Sequence, residues 1–84
     1  MEKVYVLLKV EVGSEREVLN ALDEIPDIKE SYQIHGIYDI IIRVEAETLQ
    51  EFKDVVYKRI KNIDKIRSTL TMICLKEGDV QVGV

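Results

Sequence analysis

The chain has 84 residues, one histidine, one cysteine and a net charge of −4. That length favours one domain with a thin core, burying about 60–65% of the surface of the unfolded chain, and a single cysteine excludes an internal disulfide. The negative charge argues against independent nucleic-acid binding, and no apolar run reaches membrane-spanning length. Association between copies is the expected extra source of stability, so we predict a homo-oligomer.

The first half of the chain predicts a strand, a helix and a second strand. Residues 4–10 alternate with one wholly apolar parity, which is the period-2 pattern of a strand. Ser14 and Glu17 have the spacing of a capping box, so a helix begins there, and Pro26 ends it. Residues 28–35 mix apolar and polar positions in a way that suits an edge strand.

The second half predicts a strand, a helix and another strand. Ile40, Ile42 and Val44 share one face of the next segment, and Ile41 on the opposite face is also apolar, which favours a central strand buried on both faces. Thr48 and Glu51 repeat the capping box and begin a second helix. Its apolar stripe has steps of three and four: Leu49, Phe52, Val56, Ile60 and Ile63. Residues 67–76 are rich in β-branched side chains and alternate as a strand, whereas residues 79–84 are either a fifth strand or a disordered tail.

The order βαββαβ predicts an α+β, ferredoxin-like fold over residues 1–78, with two helices on one face of a four-stranded antiparallel sheet. The opposite face should carry an apolar patch formed by Tyr5, Leu7, Ile41, Leu70 and Met72, or by their neighbours of opposite parity. A soluble monomer rarely leaves such a patch in water. We therefore expect a second sheet to pack against it.

Catalytic machinery is not evident in the sequence. His35 could act as a general base beside Asp39, but a lone strand histidine is more often a surface or interface residue. Cys74 stands in an apolar alternating run and is expected to pack as a small hydrophobic residue. We predict no metal site, because carboxylates at calcium-loop spacing are missing, and no nucleotide cofactor, because a glycine-rich phosphate loop is missing.

Six basic residues crowd the end of the second helix: Lys53, Lys58, Arg59, Lys61, Lys65 and Arg67. A nucleic acid could be attracted there, but cations late in a helix also complement its dipole and solvate its outer face. We favour the second explanation. The N-terminus lacks the pattern of a secretory signal, so a cytoplasmic protein is expected.

The best candidate site is the turn between the second and third strands, formed by Gly36, Ile37, Tyr38 and Asp39. Glycine admits positive φ and leaves backbone groups uncovered, and Asp39 adds a carboxylate. Thr69 and Thr71 add hydroxyls that donate and accept. Together these groups suit a free amino acid, which needs an acceptor for its ammonium and donors for its carboxylate. A plain hairpin with threonines chosen for strand propensity would give the same pattern.

Two segments carry a resemblance to a known family. His35-Gly36-Ile37-Tyr38-Asp39, followed by an apolar strand, resembles the Gly-x-Tyr-Asp corner of the effector-binding (RAM) domain of leucine-responsive (Lrp/AsnC) regulators. Residues 66–75 are similar to the last core strand of that domain, with Ser68 where arginine is common.

The resemblance implies a ferredoxin-like domain that pairs through its sheets, assembles dimers into rings and binds amino acids between dimers. Carried over by position, it implicates Gly36, Ile37, Tyr38, Asp39, Thr69 and Thr71. The chain begins directly at its first strand, so we expect a stand-alone effector domain that senses an amino acid and can pair with a full-length regulator. Two alternatives stay open: a dimeric ferredoxin-like enzyme, and a structural adaptor without a ligand.

Overall fold

The computed structural model describes residues 2–76 and 79–83, whose strands form one antiparallel sheet in the order β2-β3-β1-β4-β5. The strands are β1 (Glu2–Val10), β2 (Ile28–Gln33), β3 (Ile40–Ala46), β4 (Ile66–Lys76) and β5 (Asp79–Gly83). The helices are α1 (Glu15–Asp23) and α2 (Leu49–Asp54), and α2 continues as a π-helical segment, Val55–Ile60. The βαββαβ order and the ferredoxin-like fold are confirmed, with one strand more than the four predicted.

The alternating segment at the end of the chain forms the fifth strand and is not a disordered tail over residues 79–83. It pairs with β4 in antiparallel register, with Val82 opposite Met72 and Gly83 opposite Thr71. The break predicted at Glu77 and Gly78 lies outside the described residues, as does the side chain of Cys74.

The core lies between the two helices and one face of the sheet. Its sheet side consists of the even-numbered apolar residues of β1 and β3, and its helix side comes from α1, α2 and the π-helical segment. The buried members are Val4, Val6, Leu8, Val10, Val18, Leu22, Ile25, Ile40, Ile42, Val44, Phe52, Val55, Val56 and Ile60. As predicted, β3 is an interior strand. Its predicted burial on both faces is wrong for one protomer, because Ile41 points away from the helices and is only half-buried.

The two capping-box sequences behave differently. Thr48 has an extended backbone, and its hydroxyl accepts a hydrogen bond from the N–H of Glu51 at 3.1 Å. The Glu51 carboxylate reaches back to the N–H of Glu47 at 3.1 Å, so this predicted cap is confirmed. Ser14 precedes α1 with φ −104° and ψ 8°, and its side chain makes no capping hydrogen bond. The capping box predicted there is wrong, because the backbone does not take the β-region conformation usual for such caps.

The second helix does not continue in α geometry to Ile63 as the sequence predicted. From Val55 onward the helix widens, and the N–H of Lys61 donates to the carbonyl of Val56 at 2.9 Å, five residues back. The wider turn buries Val55 beside the core, whereas Leu49, predicted on the apolar stripe, is 47% exposed. Neither α1 nor the α2 and π-helical run is long and apolar enough to cross a membrane, and these are the helices of the described residues.

Candidate functional site

The segment between β2 and β3 forms an acidic corner, which we define as Gly36, Ile37, Tyr38 and Asp39. Gly36 has φ +152°, a conformation that side-chain-bearing residues rarely adopt. Ile37 is 80% exposed, while Tyr38 and Asp39 are half-buried. The corner therefore presents an apolar side chain and open backbone at one end of the sheet.

Asp39 attaches this corner to the end of β1. Its Oδ2 accepts a hydrogen bond from the backbone N–H of Val10 at 2.9 Å, and its own N–H donates to the carbonyl of Leu8 at 2.9 Å. The Asp39 carbonyl accepts from the N–H of Ile34 at 2.9 Å, which closes the turn. Since β1 and β3 pair only as far as Leu8 and Ile40, the carboxylate takes the place of a strand carbonyl beyond the last pair.

Lys9 also lies at the corner, although the sequence reasoning did not place it there. Its ammonium donates to the carbonyl of Ile37 at 3.1 Å. Because Leu8 pairs with Ile40, the antiparallel register places Lys9 opposite Asp39, and that register is the signal that could have found it. The corner thus carries a cation, which contacts the carbonyl of Ile37, and an anion, which contacts the N–H of Val10. A zwitterion needs a group of each sign.

Thr69 and Thr71 are not brought to the corner within one protomer. They pair with Leu8 and Val6, whose side chains are in the core, so both threonines project toward the helices. Thr69 is 9% exposed. It lies two strands away from Ile40, a separation of roughly 10 Å between backbones. Within one protomer, β1 therefore lies between the two threonines and the corner.

The pairing of His35 with Asp39 required by the enzyme alternative is not supported by the geometry. His35 is exposed, and the recorded contacts of the Asp39 carboxylate go to Val10. Of three cavities lined wholly by described residues, none contains His35 or Asp39.

The face of the sheet away from the helices carries the apolar patch expected from the sequence. Its members are Tyr5, Leu7, Ile41, Leu70 and Met72, which are all half-buried, and Tyr32 beside them on β2 is 56% exposed. Among the described residues no helix lies over this face. Of the two parities that the sequence left open, the one that includes Tyr5 and Leu7 occupies this face, and the patch is open in a single protomer.

A charged row borders this patch. Arg43 Nε lies 2.7 Å from Glu30 Oε2, and Arg43 Nη1 lies 3.0 Å from Glu45 Oε2. The hydrogen bond from Arg43 holds the pKa of Glu30 below its ordinary value, and the same bond raises the pKa of Arg43. The hydroxyl of Tyr32 also donates to Glu30, at 3.3 Å. The row gives one edge of the face a fixed pattern of charge.

Most of the basic residues late in the chain, though not Lys53, have local partners among the described residues. The Nζ of Lys58 lies 3.6 Å from Oδ1 of Asp54. Glu11 faces two cations, with Lys65 Nζ 3.6 Å from its Oε2 and Arg67 Nη2 3.5 Å from its Oε1. The ammonium of Lys61 lies over the ring of Tyr57. Intramolecular pairing of this kind supports a solvated surface over a nucleic-acid site.

Comparison with known proteins identifies a family and relatives that this chain resembles. The family model of the Lrp/AsnC ligand binding domain matches residues 3–79. The HTH-type transcriptional regulator FL11 of Pyrococcus furiosus is 35% identical over 75 residues, covering 86% of this chain and 47% of FL11. Homocitrate synthase of Sulfurisphaera tokodaii is 37% identical over 60 residues, which are 71% of this chain and 13% of that enzyme.

Among solved structures, FFRP-DM1 superposes with a TM-score of 0.85 at 35% identity, and the match covers 89% of this chain and 100% of that one. The chain spans about half the length of the curated regulators that it matches, 47% in the case of FL11. The family match over most of its length, together with these relatives, shows that the chain belongs to the Lrp/AsnC ligand binding domain family.

Proposed function

We propose that this chain is an amino-acid-sensing domain that binds a free amino acid at the acidic corner, between subunits, and that occupancy stabilises its assembly. The observation that carries the proposal is that the Lys9 ammonium, bonded to the carbonyl of Ile37, and the Asp39 carboxylate, bonded to the N–H of Val10, both lie at the corner. A zwitterion needs both charges within a few ångströms.

Each group has a distinct part in binding. Asp39 uses Oδ2 to hold Val10, so Oδ1 accepts the ammonium of the ligand. Lys9 and the open backbone near Gly36 donate to the ligand carboxylate. Ile37 and Tyr38 contact the ligand side chain. Thr69 and Thr71 would join this site only as residues of a neighbouring subunit, so the proposal rests on the corner.

Assembly follows from the open face of the sheet. Packing two such faces together removes the apolar patch from water, at about 25 cal/mol per Å² of apolar area. Lys9 shares the parity of Tyr5 and Leu7 and lies on this same face, so a subunit that covers the patch also approaches the corner. A homodimer formed in this way, joined to further dimers in a ring, provides the crevice for the ligand.

Thermodynamic linkage between ligand binding and assembly then makes the assembly respond to the ligand concentration. A ligand that binds only the assembled state stabilises it by RT ln(1 + [L]/Kd), which is about 2.7 kcal/mol at a hundredfold excess over Kd. Through this shift the domain would modulate a full-length regulator of the same family in the cytoplasm. The proposal involves no catalysis, and the match to homocitrate synthase covers only 13% of that enzyme.

Native mass spectrometry with a mixture of amino acids tests the proposal, because it reads stoichiometry and bound mass together. We expect one amino acid to be retained per site and to increase the population of the larger assembly. Asp39→Asn is the informative variant, since its amide oxygen can still accept from Val10 while the negative charge is lost. Bound mass should disappear in that variant with the fold intact. An unchanged assembly with no bound amino acid would leave the structural adaptor as the better description.

A further inference from the structure

A cavity of about 280 Å³ lies on the opposite side of the sheet from the apolar patch, between the second helical run and strands β4 and β5. Its walls are mainly apolar: Phe52 and Val56 are buried, and Ile73 packs against the core. No residue of the acidic corner lines it. The cavity is slightly below the roughly 300–1,000 Å³ typical of ligand pockets, which suits a small ligand.

Three polar side chains stand among these walls, namely Lys53, Tyr57 and Thr71. Among the residues whose side chains the structure describes (4–73 and 82–83), neither Lys53 nor Thr71 has an ion-pair or side-chain hydrogen-bond partner. Lys58, one turn away, is by contrast 3.6 Å from Asp54. The cavity therefore combines an ammonium and a hydroxyl that keep their hydrogen-bonding capacity for another molecule.

Among the described residues that line the cavity, none carries a carboxylate, and their side chains are apolar, hydroxylic or cationic. A ligand carboxylate would meet Lys53 and Thr71, whereas a ligand ammonium would lose water without gaining an anionic partner, which is costly. This charge pattern is the reverse of that at the corner, where Asp39 is present to accept from an ammonium.

We infer that this cavity binds a small apolar monocarboxylate that lacks an ammonium group, such as a short-chain carboxylic acid. The carboxylate contacts Lys53 and Thr71, and the hydrocarbon tail packs against Phe52, Val56 and Ile73. Val56 belongs to the π-helical segment, and π-helical turns inside helices frequently occur at functional sites. Thr71, which the sequence predicts as a ligand contact, thereby contacts a different ligand from the one bound at the corner.

The test is an NMR titration of the full chain with 4-methylpentanoate and with leucine, which differ by the ammonium group alone. We expect 4-methylpentanoate to cause saturable shifts of the methyl resonances of Val56 and Ile73, and leucine to leave those resonances in place. A shift of the Gly36 amide resonance on addition of leucine would report on the corner, so the titration tests the proposal for the corner and the inference for the cavity separately.

Variants of the polar pair complete the test. Thr71→Val and Lys53→Gln should each weaken 4-methylpentanoate binding by about tenfold, the loss expected for one hydrogen bond to a charged group. Lys58→Gln is the matched control and should leave the affinity unchanged. Thermal unfolding of each variant checks that the fold is retained. The inference is overturned if 4-methylpentanoate gives no saturable shift of these methyl groups, if leucine binds there equally well, or if both variants retain full affinity.

Discussion

Asp39 and Val10 are joined by a hydrogen bond of 2.9 Å from the backbone N–H of Val10 to the carboxylate Oδ2 of Asp39. This bond ties the corner to the end of β1 and has consequences for stability as well as for binding. A residue expected from the sequence to hold a ligand also maintains the geometry of the site. Substitutions at this position must therefore be interpreted with stability and binding measured separately.

Asp39→Ala should destabilise the fold because it leaves the part-buried N–H of Val10 without its acceptor. The expected loss is about 1–3 kcal/mol in the free energy of unfolding. Asp39→Asn keeps an oxygen in place and should lose less than half as much. Urea unfolding of both variants measures the difference. Equal losses would show that the negative charge, and not the hydrogen bond, is what stabilises the corner.

The two capping sequences give a matched pair of substitutions. Thr48→Ala removes the hydroxyl that accepts from Glu51 and should cost about 1 kcal/mol. Ser14→Ala removes a hydroxyl that makes no capping bond and should change the free energy of unfolding by less than about 0.5 kcal/mol. Chemical denaturation of the two variants under one condition makes the comparison. A large loss for Ser14→Ala would mean that its side chain caps α1 in solution.

Lys65 adopts φ +80°, a left-handed conformation that disfavours side chains with a Cβ. Lys65→Gly should stabilise the chain by roughly 0.5–1 kcal/mol, because relief of this strain exceeds the extra entropy of the unfolded glycine. The exposed contact of Lys65 with Glu11, at 3.6 Å, contributes little. Lys61→Gly is the control: Lys61 has φ −68°, so glycine there should destabilise. Melting temperatures that move in the same direction for both variants would contradict this prediction.

Strand parity explains how much of the fold could be predicted. The even-numbered residues from Val4 to Val10 and from Ile40 to Ala46 are all apolar, and this alternation predicts strands with one face buried in the core. The same parity rule places Thr69 and Thr71 on the helix side, but applying it requires the register between β1 and β4. That register cannot be derived from a single sequence. The position of Lys9 beside the corner was missed for the same reason, since it depends on the pairing of β1 with β3.

Other features leave no distinct mark in the sequence. The steps from Phe52 to Val56 and from Val56 to Ile60 are four residues each, a spacing that fits an α-helix and a π-helical turn alike. The change of geometry at Val55 therefore could not be predicted. Residues 79–83 alternate as a strand does, but whether they form one depends on a free edge of β4 with which they can pair.

The charged row on the open face gives a pH-dependent prediction. Arg43 lowers the pKa of Glu30 below 4.5, its ordinary value. Because the folded pKa lies below that of the unfolded chain, this contribution to stability is fully present above pH 4.5 and is lost as the pH falls through the lowered value.

NMR titration of the Glu30 carboxyl group checks this relationship. In Arg43→Gln the pKa of Glu30 should rise toward 4.5. Arg59→Gln, which alters the contact with Asp27 at 4.0 Å, should leave the pKa of Glu30 where it is. If removing Arg43 does not move that pKa, the ion pair is not formed in solution.

The open face of the sheet gives the most direct test of the proposed assembly. Leu70 lies on that face opposite Leu7, half-buried and away from the core, so Leu70→Glu should preserve the protomer while opposing contact between sheets. Burial of a leucine contributes about 1.5–3 kcal/mol, and an unpaired carboxylate in the same place costs more, so we expect monomers in place of the parent assembly. Val12→Glu is the control, since Val12 is 95% exposed at the turn after β1. Native mass spectrometry and circular dichroism report mass and folding; a Leu70→Glu chain that keeps the parent mass would exclude this face as the subunit interface.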